Sequence, residues 1–401
     1  MFVVAILLVA DGRAQLPQYQ VNHSATISGL SYDTEYEYRV NHLRAGQQIG
    51  SFQKTFRTCL PPGDPSPFTF VAYGDSADLA VIQNFRSVQN QINQLDAANG
   101  VALSLSLSDN AYPFGRHRDF DARFDPTDSP EHVQYIARRI DYPAIGNHDI
   151  FDGSNGQSSR DNVSVPRNGP SAGEFPEHNY SFDFGTIHFA TFDSNSLSNR
   201  TRLENQLEWL VTDMQASDAQ WKVIFVHHPI AGSPDKRESP TNAYFREVVS
   251  QLREAKVDLL LAGHSHMYHR TQPLFGASGS QAIFLEEADD DYTKGLGLIQ
   301  LTSGVGGRSL RFGSFTQYPF NAAGFSRTTE PASEFGFTQI DVTQTQLTLS
   351  YIGADQGQVK DSFTITEDLA NQLVWSARYL HLKAPATLTG ARSGEVHLLT
   401  T

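Results

Sequence analysis

Short apolar runs, each closed by polar residues, recur along the middle of the chain. Phe68–Tyr73 is an apolar run of strand length, and Val101–Leu107 is another. Between them, Leu79–Asn99 places its apolar residues close to one helical face and ends at Gly100, a common helix terminator. The order strand, helix, strand is typical of a layered α/β domain.

The first part of the chain has a different pattern, in which short alternating runs favour β-strands. His23–Ile27 and Glu35–Val40 are the two candidates, with a turn at Gly29–Asp33 between them. The stretch resembles the late strands of a fibronectin type III-like sandwich, for which about seven strands over ~100 residues are needed. We therefore interpret residues 1–58 as a partial fibronectin type III-like β-domain.

The remaining boundaries follow from composition and from the last apolar runs. Residues 59–67 are rich in proline and form a linker, residues 68–365 form the catalytic domain, and residues 366–401 are a tail with no legible role. Phe2–Ala10 is either a β-strand or the apolar part of a signal peptide removed near residue 14, and both interpretations stay open.

Each of five apolar runs of strand type leads directly into a short polar motif. These are Phe68–Tyr73 before Gly74-Asp75, Leu103–Leu107 before Ser108-Asp109-Asn110-Ala111-Tyr112, Tyr142–Ile145 before Gly146-Asn147-His148-Asp149, Val223–Val226 before His227-His228-Pro229, and Val257–Ala262 before Gly263-His264-Ser265-His266.

This placement has a physical reason, because ligands of open α/β sheets bind beyond the carboxyl ends of the strands. Asp, Asn and His side chains are costly to bury alone, but they are satisfied together around metal ions. Each motif taken singly is weak, since a Gly-Asp pair is usually a turn and two nearby histidines occur by chance. The ordered set is far more specific, and we expect it to converge at one edge of a sheet and to bind metal.

Composition narrows the classes of partner. The chain has 401 residues with 30 basic and 44 acidic side chains, a formal charge of −14, and it has no basic run suited to nucleic acid. Its apolar runs are shorter than the roughly 20 residues that a membrane-spanning helix needs. Cys59 is the one cysteine, so no intrachain disulfide can form. An acidic protein that handles an anionic substrate needs local positive charge, which metal ions would supply.

The order GD…D-x-x-Y…GNH[DE]…H-x-P…GHxH is similar to that of the calcineurin-like metallophosphoesterases. Tyr112 follows Asp109 by three residues, and Ala77 stands where other branches have a histidine, so the chain more narrowly resembles the purple acid phosphatase branch. Tyr180–Gly185 and the fibronectin-like piece also fit. The resemblance covers residues 68 to about 365. It implies an α/β (α+β) metallophosphoesterase sandwich of four layers, with two β-sheets flanked by helices.

The resemblance also implies a ligand set for two metal ions. The first ion, usually ferric iron, would be held by Asp75, Asp109, Tyr112 and His266; the second, usually Zn, Mn or Fe(II), by Asp109, Asn147, His227 and His264. Ligand chemistry agrees, because carboxylates and a phenolate suit a highly charged ion, whereas an amide and imidazoles suit a divalent metal. A free tyrosine has a pKa of about 10, so Tyr112 would bind as a phenolate only to a strong Lewis acid.

The chain departs from the family pattern at several places that are not ligands. Ser108 stands where the family usually has glycine, and His269 stands where relatives often have an acidic residue. Lys236 and Arg237 lie where plant relatives carry a pair of histidines. These differences leave the ligands intact and leave the substrate preference open.

The implied activity is hydrolysis of phosphate monoesters, of the acid phosphatase type, by attack of a metal-bound hydroxide. The substrate would be a small phosphorylated molecule. His148 is the expected catalytic residue, which would contact the substrate or protonate the leaving oxygen. Asp149 either orients His148 or has a structural role.

Two other hypotheses remain. A phosphodiesterase or nucleotide hydrolase would use the same metal site on the same scaffold. A non-catalytic cell-surface binding protein would keep a degenerate enzyme domain, but all seven expected ligands are present. Because relatives are commonly secreted or periplasmic, we expect the same location here, and the sequence does not indicate the oligomeric state.

Overall fold

The computed structural model describes residues 3–10, 25–44, 46–170, 175–196, 199–232, 246, 248–278, 281–285, 290–315, 321–327, 329 and 333–367. The strands are β1 Val3–Ala10, β2 Glu35–Arg44, β3 Gln47–Arg57, β4 Phe68–Tyr73, β5 Ala77–Asp78, β6 Leu103–Ser106, β7 Ala111–Tyr112, β8 Ile140–Pro143, β9 Tyr180–Phe184, β10 Ile187–Thr191, β11 Trp221–Val226, β12 Leu259–Ala262, β13 Tyr268–Thr271, β14 Leu274–Ser278, β15 Gln281–Phe284, β16 Asp291–Thr293, β17 Ile299–Ser303, β18 Asn321–Phe325, β19 Gly336–Val342, β20 Gln346–Gly353 and β21 Val359–Thr366. The α-helices are α1 Ile82–Asn99, α2 Asp121–Phe124, α3 Pro130–Ile136, α4 Gln157–Asn162, α5 Arg200–Ala216 and α6 Val249–Glu254.

Two seven-stranded sheets form the body of the fold. The first sheet has the strand order β16-β21-β20-β19-β4-β6-β8, and the second has the order β18-β13-β17-β12-β11-β10-β9. Within the first sheet β4, β6 and β8 are parallel neighbours, and within the second β11 and β12 are parallel neighbours. The carboxyl ends of these five strands carry the motifs singled out in the sequence.

The continuous apolar runs of these strands follow from burial on both faces of each sheet. Along β4, Phe70 and Ala72 belong to the core between the two sheets, while Val71 and Tyr73 face the opposite way. Since successive side chains of a strand point to opposite faces, such a strand needs apolar residues at every position. The same division holds along β11 and β12.

Helices cover the outer faces of both sheets. Phe85, Val88 and Ile92 of α1 pack on the outer face of the first sheet, and α5 and α6 pack on the outer face of the second. The α1 helix ends at Gly100, whose φ of +76° is accessible to glycine at little cost. The layers therefore run helix, sheet, sheet, helix, which agrees with the expected two-sheet sandwich.

A three-stranded sheet of β1, β2 and β3 precedes this body. Residues 3–10 form a strand that pairs in parallel with β2, and removal of this segment as a signal peptide stays a prediction. Tyr38 of β2 donates a 2.8 Å hydrogen bond to the carbonyl of Ala137, which ties the small sheet to the body of the fold. The strand predicted at 23–27 is wrong for residues 25–27, which are irregular chain leading into the turn. Kinship of this sheet with fibronectin type III domains stays a prediction.

Other predicted features fall partly outside the described residues. These are the possible cleavage site near residue 14, the positions of Lys236 and Arg237, and residues 368–401 of the tail. In the part of the chain that the structure describes, no helix has both the length and the apolar character needed to cross a membrane.

Candidate metal centre

The predicted ligands lie where the two sheets face each other. Asp75, Asp109 and Asn147 follow β4, β6 and β8 of the first sheet, whereas His227 and His264 follow β11 and β12 of the second. The expectation of a single sheet edge is therefore wrong. The carboxyl ends of two separate sheets meet, and the motifs close a cleft between them.

One group of ligands, which we call the oxygen-rich half, consists of Asp75, Asp109, Tyr112 and His266. The Tyr112 hydroxyl lies 3.0 Å from Asp75 Oδ1, 2.9 Å from Asp109 Oδ2 and 3.2 Å from His266 Nε2. His266 Nε2 is also 3.2 Å from Asp75 Oδ1. All four side chains are buried.

A second group, the imidazole half, consists of Asn147, His227 and His264. His227 Nε2 lies 2.6 Å from Asn147 Oδ1 and 3.0 Å from His264 Nδ1. The same nitrogen is 3.5 Å from Asp109 Oδ1. The two oxygens of Asp109 therefore face different halves, as a bridging carboxylate requires.

The geometry fits metal ions better than a hydrogen-bond network. Donor atoms that surround an ion at about 2.1 Å lie about 3 Å from one another, which is the spacing found in both halves. Asp75 Oδ2 is buried and lacks a hydrogen-bond partner among the described residues. A buried carboxylate oxygen without a partner is costly, and a bound cation would remove that cost. The residues of both halves thus fit the implied ions.

Backbone strain is concentrated at the same place. Asp75, Ser108, Asp109 and His264 have φ values of +57°, +75°, +44° and +69°. Residues with a Cβ rarely adopt this left-handed conformation, and when they do they often mark functional sites. Three of these four residues, Asp75, Asp109 and His264, are themselves predicted ligands, so the strained conformations occur where the chain turns toward the centre.

Glycines in the motifs allow a close approach. A Cβ on Gly146 would lie 2.2 Å from Asp109 Oδ1, and one on Gly263 would lie 2.3 Å from the Leu107 carbonyl. Any side chain at these positions would collide with the ligand shell or with the adjacent strand end. The glycines that open these two motifs are therefore a packing requirement of the centre.

Burial and nearby charges raise the pKa values of two groups in the oxygen-rich half and lower that of one group in the imidazole half. Burial, together with the charges of Asp109 and Asp75, raises the pKa of Tyr112 well above 10. Burial and the charge of Asp75 likewise raise the pKa of Asp109 well above its usual range. Burial and the nearby imidazoles His228 and His264 lower the pKa of His227 well below its usual range. Without a cation, Tyr112 and Asp109 therefore hold their protons more tightly than usual, and His227 favours its neutral form.

His148 lies at the edge of the centre. Its backbone N–H donates a 2.8 Å hydrogen bond to Asp109 Oδ1, and its ring centre is 4.3 Å from that of Tyr112. Its Nδ1 lies 2.7 Å from the carbonyl of Pro113, which can only accept, so Nδ1 carries a hydrogen and Nε2 is the nitrogen left for a substrate.

Asp149 has a structural role. Its carboxylate accepts hydrogen bonds from the backbone N–H groups of Asn110, Ala111 and Gly146 and from the side-chain amide of Asn110. It therefore joins the loop after β6 to the loop after β8, and this favours the structural alternative left open by the sequence.

Comparison with known proteins agrees with this geometry. A family model described as calcineurin-like phosphoesterase matches residues 42–268, which is more than half of the chain. The chain belongs to the calcineurin-like phosphoesterase family. A second model, described as iron/zinc purple acid phosphatase-like protein C, matches residues 297–362 and places the chain in the purple acid phosphatase-like branch.

Named relatives belong to the same branch. Probable inactive purple acid phosphatase 1 of Arabidopsis thaliana is 24% identical over 367 residues, which are 86% of this chain and 58% of that protein. Purple acid phosphatase 23 of the same plant is 25% identical over 280 residues, 63% of this chain and 58% of that protein. The chain thus spans less than two thirds of the length of these relatives.

A solved structure shows the same fold. The purple acid phosphatase PPD1 from yellow lupin (Lupinus luteus) seeds aligns with a TM-score of 0.67 and 21% identity, over 90% of this chain and 64% of that one. The likeness confirms the two-sheet α/β architecture of this calcineurin-like phosphoesterase.

Some residues of the site escaped the sequence analysis. Arg308 follows the glycine-rich stretch 304–307, and its guanidinium lies 5.0 Å from the Tyr112 ring centre and pairs with Asp78. His228, the neighbour of His227 in the chain, contacts Ser194 Oγ through Nδ1 at 2.8 Å. In the sequence, the one feature that could have indicated a role for Arg308 is its position as a cation directly after a glycine-rich stretch.

Proposed function

We propose that this member of the calcineurin-like phosphoesterase family hydrolyses phosphate monoesters of small molecules at a dinuclear metal centre. The observation that carries the proposal is the convergence of all seven predicted ligands, with Asp109 facing both halves. One relative is named as probably inactive, so the proposal depends on whether this chain has the complete set of ligands. A degenerate centre would be expected to lack some of these donors.

The division of donors favours two different ions. We propose ferric iron in the oxygen-rich half, because only a strong Lewis acid would draw the proton from a phenol whose pKa is raised as far as that of Tyr112. We propose Zn, Mn or Fe(II) in the imidazole half. When bound, the ions would neutralise charge on the phosphoryl oxygens and lower the pKa of water at the site.

The side chains at the edge of the centre would handle the substrate. His148 presents Nε2 to the cleft and, when protonated, would donate that proton to the leaving oxygen. Burial lowers the pKa of His148, and the charge of Arg308 acts in the same sense. The proton-donating form therefore increases as the pH falls through this lowered pKa, which predicts a rate that is greater at acidic pH. Arg308 adds a positive charge for an anionic substrate beside Tyr112.

The test is the hydrolysis of p-nitrophenyl phosphate beside bis-p-nitrophenyl phosphate, on purified protein of measured metal content. We expect preference for the monoester, strongest at acidic pH. Preference for the diester would move the assignment to a phosphodiesterase on the same centre. Absence of turnover of either compound by protein with two metals bound would contradict the proposed activity.

His148→Ala should retain both metals and lose about a hundredfold or more in kcat, because proton transfer by a positioned group contributes on that scale. Metal content and kcat for p-nitrophenyl phosphate are measured on the same sample. His178→Ala is a matched control, since His178 is a buried histidine that faces Asp193 instead of the centre. Unchanged kcat in metal-replete His148→Ala would remove this residue from the reaction.

A further inference from the structure

Ser108 holds a conformation that its side chain disfavours. It is fully buried directly after β6, and its φ is +75°. Glycine adopts this conformation freely, whereas a residue with a Cβ does so under strain. The family that the chain resembles usually has glycine at this position, so the serine requires a local reason.

The Ser108 hydroxyl lies between a main-chain carbonyl and a predicted ligand. Ser108 Oγ is in hydrogen-bond contact with the carbonyl of Leu107 and with Nδ1 of His227. A carbonyl can only accept, so the hydroxyl donates to Leu107, and its oxygen accepts from the Nδ1–H of His227. His227 is thereby held as the neutral tautomer whose lone pair is on Nε2.

That tautomer is the one a metal ligand needs. Nε2 is the His227 atom that faces Asn147 Oδ1 at 2.6 Å and His264 Nδ1 at 3.0 Å. Partners of the other ring nitrogen fix the orientation and raise the basicity of ligating histidines. The main chain of Ser108 also reaches the oxygen-rich half, because its carbonyl accepts a 3.1 Å hydrogen bond from the N–H of Asp75.

We propose that Ser108 is a positioning residue that orients His227 toward the metal ion of the imidazole half. The proposal rests on the metal centre described under the proposed function. It assigns a role to a residue in which this chain departs from its family, and it explains why a strained serine stands where an unstrained glycine would fit.

The proposal predicts opposite effects on stability and on metal binding. In Ser108→Gly the strain is relieved and the hydroxyl is lost, so the metal-free protein should melt about 1–3 °C higher. Its affinity for Zn²⁺ in the imidazole half should fall about 10–100-fold. Ser108→Ala keeps the strain and loses the hydroxyl, so its metal-free form should not gain stability while its affinity falls similarly.

The experiment uses the full chain, stripped with a chelator, melted, and then titrated with Zn²⁺ by calorimetry. Ser104→Ala is the matched control, since Ser104 is a buried serine of β6, the strand that precedes Ser108; it bonds Asp141 and its loss should leave Zn²⁺ affinity unchanged. Wild-type Zn²⁺ affinity in Ser108→Gly would overturn the proposal while the centre stands. Weaker binding with a lower metal-free melting temperature would show a structural role and would also overturn it. Failure of the wild-type protein to bind Zn²⁺ or any other metal would overturn the centre itself.

Discussion

The two halves of the metal centre each take side chains from both sheets, but they differ in how they hold protons. In the oxygen-rich half, burial and mutual repulsion raise the pKa values of Tyr112 and Asp109. In the imidazole half, burial and neighbouring rings lower the pKa of His227. A cation entering the first half would have to displace the proton of Tyr112, whereas a cation entering the second would meet a His227 that favours its neutral form.

This difference suggests how one cleft distinguishes two ions. Displacing a proton from a buried phenol requires a highly charged ion, while neutral imidazoles accept a divalent ion without such a requirement. Because Asp109 faces both halves, its removal should abolish the distinction, and removal of a ligand from one half should preserve the other.

Asp109→Ala should have the largest effect. Both metals should be lost, and kcat/KM should fall by at least about a thousandfold, since the two ions account for several kcal/mol of transition-state stabilisation. Elemental analysis and turnover of p-nitrophenyl phosphate measure both effects. Asp258→Ala is the control, because Asp258 is buried at the opposite end of β12 and should leave both metals in place. Full activity in Asp109→Ala would refute the bridging role.

Tyr112→Phe should affect mainly the oxygen-rich half. Loss of the phenolate should weaken iron binding about 10–100-fold and remove the visible absorption that arises from charge transfer between phenolate and ferric iron. Divalent metal in the imidazole half should remain. Absorption spectra and metal analysis are compared with Tyr180→Phe, which removes another buried hydroxyl, one that donates to Pro143. An unchanged spectrum in Tyr112→Phe would contradict the ligand assignment.

Asn147→Ala should have the smallest effect and on the opposite half. A neutral amide oxygen is a weaker donor than a carboxylate, so divalent affinity should fall about tenfold while iron stays bound. Competition with a chelator of known affinity measures the change. Asn195→Ala serves as the control, since the Asn195 amide bonds Asp193 and the Ile145 carbonyl. Loss of iron together with the divalent ion would show that the halves are not separable.

The convergence of the five motifs could be predicted from the sequence because each motif follows an apolar run of strand type and belongs to an ordered set. Their distribution over two sheets could not be predicted from the runs alone. Strands such as β4 and β11 are apolar on both faces, so their patterns are alike and do not indicate which sheet each joins. Pairing between distant segments decides that question.

The hydrogen-bond partners of Ser108 and Asp149 could not be predicted from the sequence either. Asp149 was ambiguous because its position in the chain is next to His148, while its hydrogen-bond partners come from the loops after β6 and β8. Ser108 meets His227 across 119 positions of the chain, a contact that no local pattern encodes.

The origin of the ligands in two facing sheets has a mechanical consequence. Ions bound in this cleft would connect the two sheets, because each half takes side chains from both. Phe70 of the first sheet and Phe189 of the second also pack together in the core, with ring centres 5.3 Å apart. The two sheets would therefore be held together by apolar packing in the interior and by the ions at the carboxyl ends of their strands.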